Sequence, residues 1–82
     1  MIRKHESRDI YDGIQHRYSF ENGYGASVVR HSGSYGGSSG LWELAVLGSD
    51  GHLCYDTPIT DDVMGSLTHG DVEQILDDIE AL

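Results

Sequence analysis

The residues of this 82-residue chain best equipped for chemistry are its carboxylates and its histidines. Five acids crowd the stretch GDVEQILDDIEAL: Asp71, Glu73, Asp77, Asp78 and Glu80, with no Lys or Arg among them. Asp56, Asp61 and Asp62 lie upstream in YDTPITDDV. Clustered carboxylates can hold Mg²⁺ or Ca²⁺ through their oxygens, or present an anionic surface to a cationic partner. A calcium loop needs acids at alternating positions, a glycine at the turn and a distal Glu, and the spacing here does not supply them. The expectation is an anionic surface and no metal site.

Five histidines (His5, His16, His31, His52, His69) and the single Cys54 raise a zinc question. Their separations match no compact ligand pair, and Cys54 has no second cysteine to work with. They read as scattered surface histidines, with His16 and His31 placed to meet across a hairpin. Cys54 reads as a small buried apolar group. The serines of residues 32–40 sit in a glycine-rich connector that lacks the rigidity a nucleophile requires. No phosphate-cradling GxxxxGK[ST] pattern occurs. A non-enzymatic chain without cofactor is expected.

Charge is unevenly spread. The five basic residues (Arg3, Lys4, Arg8, Arg17, Arg30) all lie in the first 30 positions, beside four acids. From His31 onward there are ten acids and no Lys or Arg. Direct nucleic-acid binding needs cations to neutralise phosphates, so it is not expected. A basic protein partner, or solubility through self-repulsion, is. One cysteine permits no intrachain disulfide, which fits a reducing compartment. The longest apolar run, LAVL, falls far short of the roughly 20 residues of a membrane span. The segment MIRKHESRDIYDG has no apolar h-region. A cytoplasmic location without membrane contact follows as the expectation.

The elements that would position these residues can be read coarsely. Residues 1–14 are polar and predict a mobile arm or a short helical turn docking through Ile10, Tyr11 and Ile14. Residues 15–82 predict a single α+β domain. Asn22-Gly23 between β-prone runs predicts a two-residue hairpin, which would set Phe20 opposite Gly25, Tyr18 opposite Ser27 and His16 opposite Val29. Residues 32–40, with four glycines and four serines around Tyr35, predict a flexible loop. LWELAVL, apolar on both faces, predicts a central strand. HLCYD predicts the next strand, and residues 61–67 a short helical turn. Thr68 with Asp71 three residues on predicts an N-cap, followed by Val72, Ile75, Leu76, Ile79 and Leu82 along one arc of a helix. The predicted fold is an antiparallel sheet of three to four strands with one C-terminal amphipathic helix on one face.

On that helix the acids fall opposite the apolar arc. Asp77, Asp78 and Glu80 lie near the C-terminal end, where the helix dipole opposes negative charge by a few tenths of a kcal/mol each. The candidate partner-binding set is Asp56, Asp61, Asp62, Asp71, Asp77, Asp78 and Glu80, with Tyr35 and Tyr24 supplying contact area at its edge.

The run YSFENGYGASVVRH, then YGG, GLWELAVL, DG and YDTPITDDV, resembles small accessory proteins encoded by actinobacterial phages. The resemblance covers residues 17–64 and brings no catalytic residues with it. It implies a phage context, in which a short acidic protein binds and disables a host or defence protein. Two rivals stand beside this reading. One is a structural or virion protein that self-associates through a sheet edge such as ASVVR. The other is a small-molecule sponge, which requires a pocket between subunits with basic or aromatic lining. The basic residues are too few to favour phosphorylated ligands, although the hairpin can set Arg17 and Arg30 near each other.

Overall fold

The computed structural model describes residues 3–33, 37–49, 51 and 63–82. Five strands form one antiparallel sheet: β1 (Arg3–Ile10), β2 (Gly13–Phe20), β3 (Gly25–Arg30), β4 (Trp42–Leu47) and β5 (Met64–Leu67). They lie side by side in chain order, so each pairs with its sequence neighbour. A 3₁₀ turn at Gly37–Ser39 precedes β4, and α1 (His69–Glu80) follows β5. The fold is α+β, with a C-terminal helix on an antiparallel sheet, and the sheet has five strands rather than three to four.

Two sequence expectations change, and a third is not tested. Residues 3–10, expected in a polar arm, form β1, paired with β2 along its whole length through a turn at Tyr11-Asp12. Alternating polar residues lack a strong strand signal, and pairing with β2 supplies what propensity does not. Residues 64–67, expected to be helical, form β5, whose Met64 and Leu67 pair with Leu44 and Trp42 across a bulge. Gly65 and Ser66 are weak helix formers, and Ser66 takes a positive φ of 55° that no helix accepts. The expected strand HLCYD lies outside the described residues.

The β2–β3 register also differs by one. Tyr18 pairs with Ala26 and His16 with Val28. The turn therefore holds Glu21, Asn22 and Gly23, closed by Phe20 N donating to Tyr24 O at 2.9 Å. Gly23 takes φ 90°, the left-handed position that ends a three-residue hairpin. The hydrophobic pattern explains the choice. This register puts Ala26 and Val28 on the same face as Tyr18 and Phe20, whereas a one-residue slip would turn them to the other face. At the far end, a Cβ on Gly13 would lie 1.8 Å from Arg30 O, so only glycine lets β2 begin so close to β3.

One face of the sheet receives α1. Val72, Leu76 and Ile79 are buried against Phe20, Ala26, Val28, Trp42, Leu44 and Val46. Leu44, Leu76 and Ile79 are fully shielded. Ile75 packs at the margin, and Leu82, the last residue of the predicted arc, is exposed. Both helix ends are tied. Thr68 and Asp71 form the expected capping box, with both bonds at 3.1 Å. At the other end the Asn22 side-chain amide donates to Ile79 O at 2.8 Å and Glu80 O at 3.2 Å, while Asn22 Oδ1 accepts from Tyr24 N at 3.0 Å. One side chain thus shapes the hairpin and caps the helix.

Two stability outcomes follow. Leu76→Ala should cost about 2–5 kcal/mol, since the site is fully enclosed. Asn22→Asp keeps the acceptor for the turn but sets a carboxylate against the helix carbonyls. It should lower stability by about 1–2 kcal/mol. Urea unfolding midpoints measure both, and an unchanged midpoint for Asn22→Asp would show that the amide cap contributes nothing.

Candidate functional site

Two surfaces gather chemistry. The first is the outer arc of α1. Glu73, Gln74, Asp77 and Asp78 are exposed and Glu80 is half-buried. The last turn carries no basic residue. Its carbonyls, which elsewhere attract Lys or Arg, are met here by the neutral Asn22 amide. Gln74 Nε2 donates to Asp78 Oδ1 at 3.1 Å. Asp71 belongs to this arc but is committed to the cap. Tyr24, expected at the rim of the contact surface, is half-buried on the core and lines a hollow of about 290 Å³ with Arg17, Gly25 and Leu47. Asp56, Asp61, Asp62 and Tyr35 lie outside the described residues.

The second surface is on the sheet. α1 packs over β3, β4 and β5, and β1 with the middle of β2 extends beyond it. Because directly opposed residues share a face, His5 and Ser7 of β1 stand beside Tyr18 and His16 of β2. A row of rings results. His5 stacks on Tyr18 with centroids 4.6 Å apart and planes within 5°. His5 lies 4.9 Å from His16, His16 lies 5.3 Å from Trp42, and Trp42 meets the His69 ring edge-on at 5.5 Å. The Arg30 guanidinium sits 4.5 Å over the Trp42 ring. The indole Nε1 of Trp42 is buried without a hydrogen-bond acceptor among the described residues.

Three of the four described histidines are therefore not scattered, and His52 lies outside the described residues. His5, His16 and His69 share one strip, while His31 packs on Tyr11 at 5.2 Å at another corner and does not meet His16. Sequence reasoning missed this because it did not read residues 3–10 as a strand. The available signal was period two, His5-x-Ser7 and His16-x-Tyr18, on either side of a two-residue turn. Two further expectations are corrected. Arg30 opposes Ile14 on the helix-bearing face, whereas Arg17 opposes Ser27 on the other face, so they do not converge. The segment ASVVR belongs to β3, inside the sheet between β2 and β4, and cannot serve as an edge.

Burial and neighbouring charge disfavour the protonated form of one ring in the strip. Burial pushes His16 below the ordinary imidazole value of 6.5, and the neighbouring His5, Arg30 and His69 push the same way. Ser7 Oγ lies 2.7 Å from His16 Nδ1, so its hydroxyl can donate to a neutral imidazole. Away from the strip, hydrogen bonds from the Ser32 side chain and backbone hold the Asp12 carboxyl below its usual range, which fastens the β1–β2 turn to the end of β3. Among the described residues no three or more of His, Cys, Asp and Glu are grouped to hold a metal ion, and no helix is long and apolar enough to cross a membrane.

The depressed His16 value carries a pH dependence. Below 6.5 the unfolded chain binds a proton on His16 that the folded chain resists. Stability is then full above about pH 6.5 and falls as pH drops through the folded-state value. His16→Gln should flatten that fall. An NMR titration should place the His16 midpoint below 6.5, and a midpoint above it would contradict the assigned environment. No protein-family model, curated protein or solved structure matches the chain.

Proposed function

We propose that the protein is a non-enzymatic binding protein that engages a basic partner through the carboxylate arc of α1. One observation carries this reading. The helix spends Val72, Leu76 and Ile79 on the core and turns Glu73, Asp77 and Asp78 outward, with no base in its last turn. Charge placed against the helix dipole lowers stability slightly, and a surface contact with cations gives that placement a use. Opposite charge also speeds encounter with a basic partner. Asp56, Asp61, Asp62 and Tyr35, outside the described residues, belong to the proposed contact set on their sequence alone. The resemblance to phage accessory proteins supports a host or defence protein as the partner, and occlusion of a surface that normally grips phosphate as the mechanism.

The rival reading is self-association. The observation favouring it is β1, an eight-residue strand at the outer edge of the described sheet. Against it, β1 carries the exposed Glu6, Arg8 and Asp9, and charge on an edge strand discourages pairing with a second copy.

A pull-down from host lysate with the wild-type chain and with the triple variant Asp77→Asn/Asp78→Asn/Glu80→Gln separates the two. The proposal expects a basic protein that releases as salt rises and binds the variant about tenfold more weakly, at roughly 0.5 kcal/mol per lost charge. Equal retention of that protein by the variant would sink it. Recovery of the bait alone, insensitive to salt, would favour self-association.

A further inference from the structure

His5 and Ser7 on β1 and His16 on β2 bring three donor atoms into a closed triangle. His5 Nε2 and His16 Nδ1 are 2.9 Å apart, and Ser7 Oγ lies 2.7 Å from His16 Nδ1 and 3.1 Å from His5 Nε2. As hydrogen bonds alone the arrangement is crowded. Two ring nitrogens that face each other must divide their protons so that one donates and the other accepts, and the hydroxyl must fit both. The same triangle has a second chemical meaning. At a metal–nitrogen distance of about 2.1 Å, two nitrogens 2.9 Å apart subtend about 90° at the ion. A tetrahedral ion would need its ligands about 3.4 Å apart at that bond length. The Ser7 separations correspond to about 80° and 95° by the same construction. All three angles are near a right angle, as on one face of an octahedral or tetragonal site.

We propose that His5 Nε2 and His16 Nδ1, with Ser7 Oγ beside them, form a surface site for a divalent copper- or nickel-class ion over β1 and β2. Imidazole nitrogens in right-angle geometry suit these ions better than zinc, which favours tetrahedral ligands. The rings are held before any ion arrives. His5 is stacked on Tyr18 and His16 is seated against Trp42, so little ordering remains on binding. His5 and Ser7 are exposed and His16 is half-buried, which leaves a path for the ion and positions for water. Two imidazoles and one neutral hydroxyl, with the Arg30 cation over the adjoining Trp42, make this a site of moderate affinity.

The protein carries its own reporter. Trp42 is the single tryptophan, and its ring lies 5.3 Å from that of His16. A paramagnetic ion bound at His16 quenches indole emission. Titration of the full chain with Cu²⁺ alone should give saturable quenching at one ion per chain. His5→Ala and His16→Gln should each weaken binding by more than about tenfold, because loss of a ligand exceeds the effect of losing a supporting contact. Ser7→Ala should weaken it several-fold, and His31→Ala, remote from the strip, should leave it unchanged. Circular dichroism checks that each variant is folded. If His16→Gln unfolds, the exposed edge-strand variant His5→Ala decides alone. Absence of saturable quenching overturns the proposal, as does quenching that survives His5→Ala or that falls equally in His31→Ala.

Discussion

A twelve-residue helix cannot cover a five-stranded sheet. At 1.5 Å per residue α1 is about 18 Å long, and with side chains it is about 10 Å wide. Five strands at about 4.8 Å spacing extend about 19 Å across. The helix has to choose where to lie, and the chain makes that choice at two points. Thr68 starts the helix directly after β5, and Asn22 receives its C-terminal carbonyls at the β2–β3 hairpin. The helix is thereby set over β3–β5, where Ala26, Val28, Leu44 and Val46 offer an apolar bed. On β1 and the middle of β2 the same face is built from His5, Ser7, His16 and Tyr18 instead. These residues can satisfy water and one another, which an apolar strip could not do.

Trp42 joins the two regions. Its ring belongs to the core, yet His16, His69 and Arg30 all lie against it. Aromatic and cation–π contacts of this kind contribute about 0.5–1.5 kcal/mol each. They also bring His16 and His69 close to a guanidinium, and this adds to burial, the larger cause, in making His16 resist a proton. The acidic arc of α1 lies on the opposite side of the helix from this core. Among the described residues, Arg30 and the histidines His5, His16 and His69 thus gather at the sheet strip, while Glu73, Asp77 and Asp78 lie on the outer face of the helix.

Much of this was legible in the sequence where a local rule had a single reading. The helix was, because Thr68, Asp71 and the Val72–Leu76–Ile79 spacing agree with one another. Gly23 as a turn residue was also legible. What failed were decisions that depend on partners far along the chain. Residues 3–10 carry too many charges to look like a strand until β2 is there to pair with them. The hairpin register could not be taken from Asn22-Gly23 alone, since the face occupied by Ala26 and Val28 outweighs the preferred turn length. The capping role of Asn22 joins positions 57 residues apart and leaves no trace in local pattern. The histidine strip was hidden for the same reason as β1. The acids of the helix could be assigned to its outer arc, but Asp71 turned out to serve the cap.

The position of α1 on the sheet decides which residues are covered and which stay open. The direct measurement is a solution NMR map of through-space contacts from the methyl groups of Val72, Leu76 and Ile79, together with those from the ring protons of His5. The structure requires helix methyls to meet Leu44, Val46 and Val28, and the His5 ring to meet Tyr18 and His16. Helix methyls in contact with His5 and Ser7 would place α1 across β1 and β2. The histidine strip would then be a buried interface, and the division of the molecule into a covered core and an open titratable face would be wrong.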